Sequence, residues 1–153
     1  MAGLFNTNIV TQIGFIVKDI NESKRKFAAL LGVPEPGISD GGKYEITGTT
    51  YMGEPAPEAN CHMAFFNVGP NVQIELIQPN GVKSTWQDFL DEHGEGIHHI
   101  AFNVKGMDEK IKIGEAEGMK CVQRGKYSSG TGEYAYLDAT ADFKCIIELL
   151  ENY

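Results

Sequence analysis

The chain repeats part of its own sequence, and this repeat limits its fold more than any other feature. Residues 12–23 (QIGFIVKDINES) and residues 99–110 (HIAFNVKGMDEK) share Ile, Phe, Val, Lys and Glu at matching positions. Residues 74–78 (IELIQ) and 147–151 (IELLE) match in the same way near the end of each copy. A repeated supersecondary unit cannot bury its apolar face alone. The two copies are therefore expected to pack side by side.

Hydrophobic patterning predicts the same order of elements in both copies: one strand, one helix and three strands. In the first copy the helix can be capped by Asp19 or Asn21 and ends at Gly32, which is followed by Pro34. The predicted strands are residues 9–17, 44–52, 61–68 and 72–78 in the first copy and residues 99–104, 120–125, 133–138 and 143–149 in the second. The predicted helices begin after Asp19 in the first copy and span residues 107–118 in the second.

These patterns predict an α+β fold in which one domain, residues 1–153, contains two tandem βαβββ modules. The modules span residues 8–79 and 97–152, and a connector of residues 80–96 is expected to include a short helix. The first module is longer by about 14 residues, which are expected to lengthen the strands and turn of residues 44–58. This insertion either shapes a pocket wall or only extends a hairpin.

Two adjacent histidines enter the first strand of the second copy, within the stretch GEGIHHIAFNV of residues 94–104. Successive side chains of a strand point to opposite faces, so His98 and His99 are expected to diverge. The apolar residues that follow share the parity of His98, whereas Ala101 and Asn103 share that of His99. His99 is therefore the candidate ligand, and His98→Ala is expected to leave metal affinity nearly unchanged.

The repeat places three further metal-capable residues in positions related to that of His99. Gln12 is its counterpart in the first copy, and Glu75 and Glu148 match each other in the closing strands. A carboxylate flanked by Ile and Leu on a largely buried strand costs several kcal/mol unless it is paired or binds a metal. The sequence therefore predicts one cation held by both glutamates. The alternative is that both carboxylates face solvent on an open sheet.

Composition excludes several classes of partner. The net charge of -8 argues against a nucleic-acid or anionic membrane surface. No stretch has the length of a membrane span, and the first residues have no signal-peptide pattern, so a cytoplasmic location is expected. Cys61, Cys121 and Cys145 are widely spaced and are expected to be reduced thiols. The expected partner is a small molecule, with a homodimer as the expected assembly.

From residue 8 to residue 152 the chain resembles the vicinal oxygen chelate superfamily, which includes glyoxalase I, methylmalonyl-CoA epimerase, extradiol dioxygenases and bleomycin-resistance proteins. The stretch FLDEHGEGIHHIAFNV of residues 89–104 resembles the epimerases most. The set Gln12, Glu75, His99 and Glu148 resembles instead glyoxalase I of the eukaryotic type, because the epimerases have His at the first position. The resemblance implies that the two modules form a partly open mixed sheet around a U-shaped cleft, with a divalent metal on those four residues.

Two carboxylates, one imidazole and one amide oxygen suit Zn²⁺, Ni²⁺, Co²⁺, Mn²⁺ or Mg²⁺. A substrate with neighbouring oxygens can chelate such an ion, which stabilises the enolate formed when the adjacent carbon loses a proton. Non-haem iron oxygenases use two histidines and one carboxylate, and Gln12 removes one histidine from that set. This ligand set favours proton transfer over redox chemistry.

Glu148 is the predicted general base, because the resemblance implies that the matching glutamate of glyoxalase I leaves the metal to take the proton. The epimerases use a second acid outside the metal shell, and Glu58 roughly matches it, although an exposed turn acid is an equal interpretation. Lys126 and Ser128 lie in a segment, residues 124–132, that either binds a substrate carboxylate or phosphate or is only a flexible loop.

Three functions follow from this resemblance. The first is a metal-dependent epimerase or isomerase acting on an acyl-CoA, which the stretch around His99 favours. The second is a glyoxalase-like lyase acting on a thiol adduct, the hemithioacetal, which Gln12 favours. The third is a small-molecule binding protein without catalytic activity. The four metal-capable residues disfavour it, because such binding proteins need no metal.

Overall fold

The computed structural model describes residues 3–153, which form one ten-stranded sheet and five helices. The strands are β1 (Gln12–Ile16), β2 (Ser39–Asp40), β3 (Thr50–Tyr51), β4 (Glu54–Pro55), β5 (Cys61–Val68), β6 (Val72–Pro79), β7 (Gly96–Asn103), β8 (Lys120–Lys126), β9 (Gly132–Asp138) and β10 (Ile146–Asn152). The helices are α1 (Ile20–Leu31), α2 (Tyr44–Thr47), α3 (Thr85–His93), α4 (Met107–Ala116) and α5 (Thr140–Phe143).

The first strands of the two copies meet at the centre of the sheet. The strand order is β2-β5-β6-β1-β7-β10-β9-β8-β3-β4, and β1 pairs antiparallel with β7 so that Gln12 lies opposite Ala101. On either side, β6 runs parallel to β1 and β10 runs parallel to β7. The two copies therefore pair within one chain. The curled mixed sheet has the expected glyoxalase-like α+β architecture.

One long helix covers each half of the sheet. Helix α1 begins where the Asp19 side chain accepts a hydrogen bond from the Glu22 main-chain nitrogen, and it ends at Gly32 in the left-handed conformation (φ 67°). Both cap predictions are confirmed. Its core includes Ile20 and Leu76, whereas α4 packs over a separate core in the second half.

Helix α3, predicted in the connector, packs between the two halves of the sheet. Its Trp86 belongs to a third core that takes Ile16 and Ile77 from the first half and Tyr136 and Ile146 from the second. Within residues 3–153, no helix has the length and apolarity to cross a membrane. The three cysteines are free thiols, as expected.

The prediction of a strand over residues 44–52 is wrong. Residues 44–47 form α2, because Gly42 (φ 107°) and Gly48 (φ 53°) turn the chain out of an extended path on either side of it. The short β3 that follows pairs with β8 of the second half. Residues 41–49 therefore run from β2 at one edge of the sheet towards β3 near the other edge. We call residues 41–49 the bridging segment.

A smaller difference lies before the last strand, which was predicted over residues 143–149. Residues up to Phe143 form the short helix α5, and Lys144 adopts a left-handed conformation (φ 64°). The strand therefore begins only at Ile146 and continues to Asn152. The position of Glu148 within it is unaffected.

Candidate metal centre

The four central strands bring together all four residues that the repeat related to one another. Gln12 lies on β1, Glu75 on β6, His99 on β7 and Glu148 on β10. Each side chain is almost completely buried: Gln12 and Glu75 are 6% exposed, Glu148 3% and His99 0%. The open-sheet alternative, in which both carboxylates face solvent, is wrong.

Strand register explains why these side chains converge. Glu75 and His99 flank Gly14 in one row across the sheet, and Gln12 and Glu148 flank Ala101 in the next row. Because the residue at the centre of each row is small, the larger side chains on either side can lean towards one another. The rows are adjacent, so the four polar groups meet above the middle of the sheet.

The ring of His99 is the centre of this group. Its Nε2 lies 3.1 Å from Glu148 Oε2, 3.3 Å from Glu75 Oε2 and 3.2 Å from Gln12 Oε1. Glu75, His99 and Glu148 each offer a ligand atom within 4.8 Å of the others. Burial favours the neutral imidazole, but the carboxylates of Glu148 and Glu75 outweigh it and raise the pKa of His99 to about 10.

The amide of Gln12 completes the group. One end lies 2.9 Å from Gln73 Oε1, and the end that points inwards lies 2.9 Å from Glu148 Oε2 and 3.2 Å from Glu75 Oε2. The inward atom in the structure is the oxygen, so three oxygens and the His99 nitrogen face one another. Amide nitrogen at that place would donate to both carboxylates, whereas amide oxygen can share a cation with them or accept a hydrogen bond from His99 Nε2.

These residues fit a divalent cation. When two donor atoms bind one ion at distances of about 2.0–2.2 Å and their bonds to the ion are at right angles, the two donors lie about 3 Å apart. The His99 nitrogen and the Gln12 oxygen lie 2.9 to 3.3 Å from the carboxylate oxygens and from each other, which agrees with that spacing. A cation would also compensate two carboxylates whose burial is otherwise unfavourable. Burial, and then the charge of Glu148, raise the pKa of Glu75 above its usual range.

The four residues do not form an isolated group. Gln12, Glu75 and Glu148 line a cavity of about 660 Å³. Its walls include Phe65 and Trp86, and in the described part of the chain Glu75 and Glu148 are the only carboxylates that line it. The volume lies within the usual range of about 300–1,000 Å³ for small-molecule sites.

The bridging segment forms part of the wall, because Gly41, Gly42 and Thr49 line the cavity. A Cβ atom on Gly42 would lie 2.8 Å from Ser128 Cβ, so the two loops are in close contact there. Of the residues assigned to the insertion, Thr49 belongs to the cavity wall and the pair β3–β4 forms a short hairpin, so both alternatives are observed in part.

The prediction that His98 points away from His99 is wrong. The pairing of β1 with β7 matches Gly14 to His99 and Phe15 to Ile97, so it skips His98, which lies in a β-bulge. The bulge turns the buried ring of His98 to the same side, where its Nδ1 lies 3.0 Å from Nδ1 of His99. The GEG sequence before the histidines was the only signal of an irregular strand start.

The structure separates the other candidates. Glu58 is exposed and does not line the cavity, so it has the turn position of its second interpretation. Lys126 and Ser128 do line it. Their segment is a turn in which the main-chain nitrogen of Tyr127 donates a hydrogen bond of 2.9 Å to the carbonyl of Gly132. Sequence reasoning missed the aromatic wall, where Trp86 Nε1 donates to the hydroxyl of Tyr136 over 2.9 Å.

Comparison with known proteins agrees with this architecture. The profile of the Glyoxalase/Bleomycin resistance protein/Dioxygenase superfamily matches residues 11–136. An uncharacterized protein of Bacillus subtilis, YqjC, is 28% identical over 99 residues, which cover 64% of this chain and 70% of the relative.

Two solved structures share the fold at low sequence identity. Methylmalonyl-CoA epimerase from Mycobacterium tuberculosis has a TM-score of 0.69 and 20% identity, and the match covers 100% of this chain and 93% of that chain. The Streptomyces coelicolor epimerase in complex with 2-nitronate-propionyl-CoA has a TM-score of 0.65 and 19% identity, covering 94% and 96% of the two chains.

Proposed function

Because this chain belongs to the glyoxalase, bleomycin-resistance protein and dioxygenase superfamily, we propose that it is a metal-dependent epimerase that removes and returns a proton on the carbon next to a carbonyl. The observation that carries the proposal is the convergence of Glu75, Glu148 and Gln12 around the buried ring of His99, at the wall of a cavity large enough for a substrate. We assign these four residues as ligands of one divalent cation, and the donor set suits Zn²⁺, Ni²⁺, Co²⁺, Mn²⁺ or Mg²⁺. A bound cation would supply Lewis-acid stabilisation of the negative charge that develops on the substrate oxygen.

Glu148 is the residue that we assign as general base. Its carboxylate lines the cavity and lies 3.1 Å from His99 Nε2, and both observations support a role as ligand and as base. A carboxylate at this place can take the proton from the carbon beside the carbonyl. An epimerase must also deliver a proton to the other face of that carbon. Glu75 lines the same cavity and is assigned this second role, in place of the exposed Glu58.

The cavity also supports an acyl-CoA substrate. Phe65, Met63 and Trp86 give its wall an apolar surface for an acyl group, and Lys126 contributes a cation that can pair with a carboxylate or a carrier phosphate. The epimerase of similar fold from Streptomyces coelicolor was solved with 2-nitronate-propionyl-CoA. A short acyl-CoA with an acidic α-carbon, such as methylmalonyl-CoA, is the substrate class that we propose.

A second function is favoured by one residue. Gln12 gives this chain the ligand set that resembles glyoxalase I, whose substrate is the hemithioacetal formed from a 2-oxoaldehyde and a thiol. The same residues would take the proton from the carbon that is bonded to sulfur and return it to the adjacent carbonyl carbon. A binding protein without catalytic activity is the least supported alternative, because it does not require two buried carboxylates beside a histidine.

The two reactions can be separated by following solvent deuterium. The purified protein is loaded with one divalent metal at a time and incubated in D₂O with methylmalonyl-CoA or with the hemithioacetal of methylglyoxal and glutathione. Deuterium at the α-carbon of methylmalonyl-CoA, faster than without protein, supports the epimerase. Lactoylglutathione formation supports the lyase instead. If the metal-loaded protein catalyses neither the deuterium exchange nor the formation of lactoylglutathione, the proposed reaction is wrong.

A further inference from the structure

His98 is the buried titratable residue for which the proposed reaction has no role. Its side chain is 1% exposed, and it lies outside the group of four proposed ligands. The β-bulge brings it beside His99 instead of onto the opposite face, and the two Nδ1 atoms are 3.0 Å apart. A hydrogen bond of that length between two imidazoles requires one nitrogen to donate and the other to accept.

The surroundings of His99 decide which ring donates. Nε2 of His99 faces Glu75, Glu148 and Gln12, and a metal ligand must present a lone pair there. The neutral ring of His99 then carries its hydrogen on Nδ1, which points at His98. The acceptor of that hydrogen is Nδ1 of His98.

The environment of His98 suits an acceptor. Because Nδ1 of His98 faces His99, the backbone hydrogen bond with Thr85 falls to the other ring nitrogen. A ring that donates to Thr85 through that nitrogen keeps a lone pair on Nδ1 for His99. The ring is also wedged between two aromatic side chains at steep angles: Phe89 at 5.4 Å and 85°, and Tyr136 at 5.1 Å and 80°. It therefore has little freedom to turn its Nδ1 away from His99.

We propose that His98 is a positioning residue, which accepts the Nδ1 hydrogen of His99 and thereby fixes His99 in the tautomer whose Nε2 lone pair faces the carboxylates. The consequence for metal affinity rests on the proposed function, but the hydrogen bond itself does not. The chain of contacts runs from Thr85 through His98 to His99, and so connects helix α3 to the metal centre. Outer-shell partners of metal-binding histidines are worth about 10–100-fold in metal affinity.

The test compares two substitutions that differ in one property. His98→Phe keeps an aromatic ring between Phe89 and Tyr136 but has no acceptor, whereas His98→Gln offers an amide oxygen to His99. The control is His93→Phe, because His93 packs on the same Phe89 ring at 5.0 Å but has a largely exposed side chain. For each protein, thermal unfolding reports folding, competition with a chelating dye gives the Zn²⁺ dissociation constant, and ¹⁵N NMR of the imidazole nitrogens gives the tautomer of His99.

We expect the dissociation constant of His98→Phe to rise by about 10–100-fold and its His99 ring to lose the single Nδ1-protonated form. His98→Gln should recover most of the affinity, and the His93 control should match the wild type. Equal losses in the Phe and Gln variants, or wild-type affinity with an unchanged tautomer in His98→Phe, would overturn the role of His98.

The metal-free wild-type protein distinguishes this inference from the proposed function. If it binds no divalent metal, the proposed metal centre is wrong. The hydrogen bond is then still tested by NMR, through the coupling between the two Nδ1 nuclei across the shared hydrogen. Its absence in the metal-free wild type, or an unchanged ¹⁵N chemical shift of His99 Nδ1 in His98→Phe, rejects the inference whatever the metal result.

Discussion

Gly14 and His99 lie opposite each other on the central strand pair, and the imidazole of His99 occupies the space that a side chain on Gly14 would need. A Cβ atom built on Gly14 would lie 2.5 Å from Nδ1 of His99, closer than such contacts occur. The ring can therefore lie over β1, where Nε2 reaches the carboxylates of both copies. The backbone of the first copy in this way positions the histidine of the second.

This relationship predicts that Gly14→Ala displaces the His99 ring. A methyl group there forces a shift of about 1 Å, and misplacements of that size can lower catalytic rates by about 10²-fold. The overpacking should also cost about 1–3 kcal/mol of the free energy of unfolding. Deuterium exchange into methylmalonyl-CoA and thermal unfolding measure the two effects.

Gly37→Ala is the matched control, because a Cβ at Gly37 meets no atom within 4 Å and its backbone needs no left-handed conformation. It should behave like the wild type in both measurements. Wild-type exchange in Gly14→Ala would show that the position of the His99 ring does not matter for the reaction.

The proposed metal centre predicts about one divalent metal per chain. Removing His99 and Glu148 together, by His99→Ala with Glu148→Ala, takes away two of the four donors and should abolish binding, because the remaining Glu75 and Gln12 are too few to hold the ion. Equilibrium dialysis followed by elemental analysis measures the stoichiometry. Unaltered metal content in the folded double variant would place the metal elsewhere.

Glu148→Gln tests the general base. The amide keeps the size and an oxygen donor but takes up no proton at neutral pH, so turnover should fall by about 10²–10⁴, equivalent to about 3–5 kcal/mol of barrier. Loss of metal could imitate this effect, so the variant is saturated with metal and its occupancy confirmed before deuterium exchange is followed. Glu58→Gln serves as the control, because Glu58 is exposed outside the cavity. Because Glu75 is assigned to the other face and can still exchange one epimer, epimerisation is measured as well. Epimerisation at the wild-type rate in Glu148→Gln would show that Glu148 is not the base.

The internal repeat predicted two packed βαβββ modules and related Gln12 to His99 and Glu75 to Glu148. The mixed sheet around a cleft, with all four residues at one metal, was what the resemblance to the vicinal oxygen chelate superfamily implied. The repeat relates equivalent strands in the two copies, and strand parity then selects the inward side chain at each place. Parity holds only where pairing is regular. The bulge at His98 is set by the pairing of β7 with β1, which no local pattern encodes, so the direction of that ring was mispredicted.

The bridging segment shows a second limit of sequence reasoning. Residues 43–52 (KYEITGTTYM), which run from this segment into β3, have a high strand propensity, but Gly48 turns the chain, and the short β3 pairs with a strand of the other copy. Strand propensity depends on the neighbouring strand, which in this case is distant in sequence. Glu58 follows this segment, and its exposed position could not be predicted once the path of the segment was wrong.

The last prediction concerns pH. In the metal-free protein the carboxylates of Glu148 and Glu75 raise the pKa of His99 to about 10, so its Nε2 carries a proton at neutral pH, whereas a metal ligand must be deprotonated. Each metal ion bound must therefore displace that proton. The apparent affinity should rise with pH by about tenfold per unit from this proton alone, up to the pKa of His99. His99→Gln keeps a donor oxygen without a titrating ring, and its affinity should depend less on pH. Zn²⁺ or Mn²⁺ competition titrations between pH 6 and 9 measure both slopes, and an affinity of the wild type that does not change with pH would contradict the protonated state of His99.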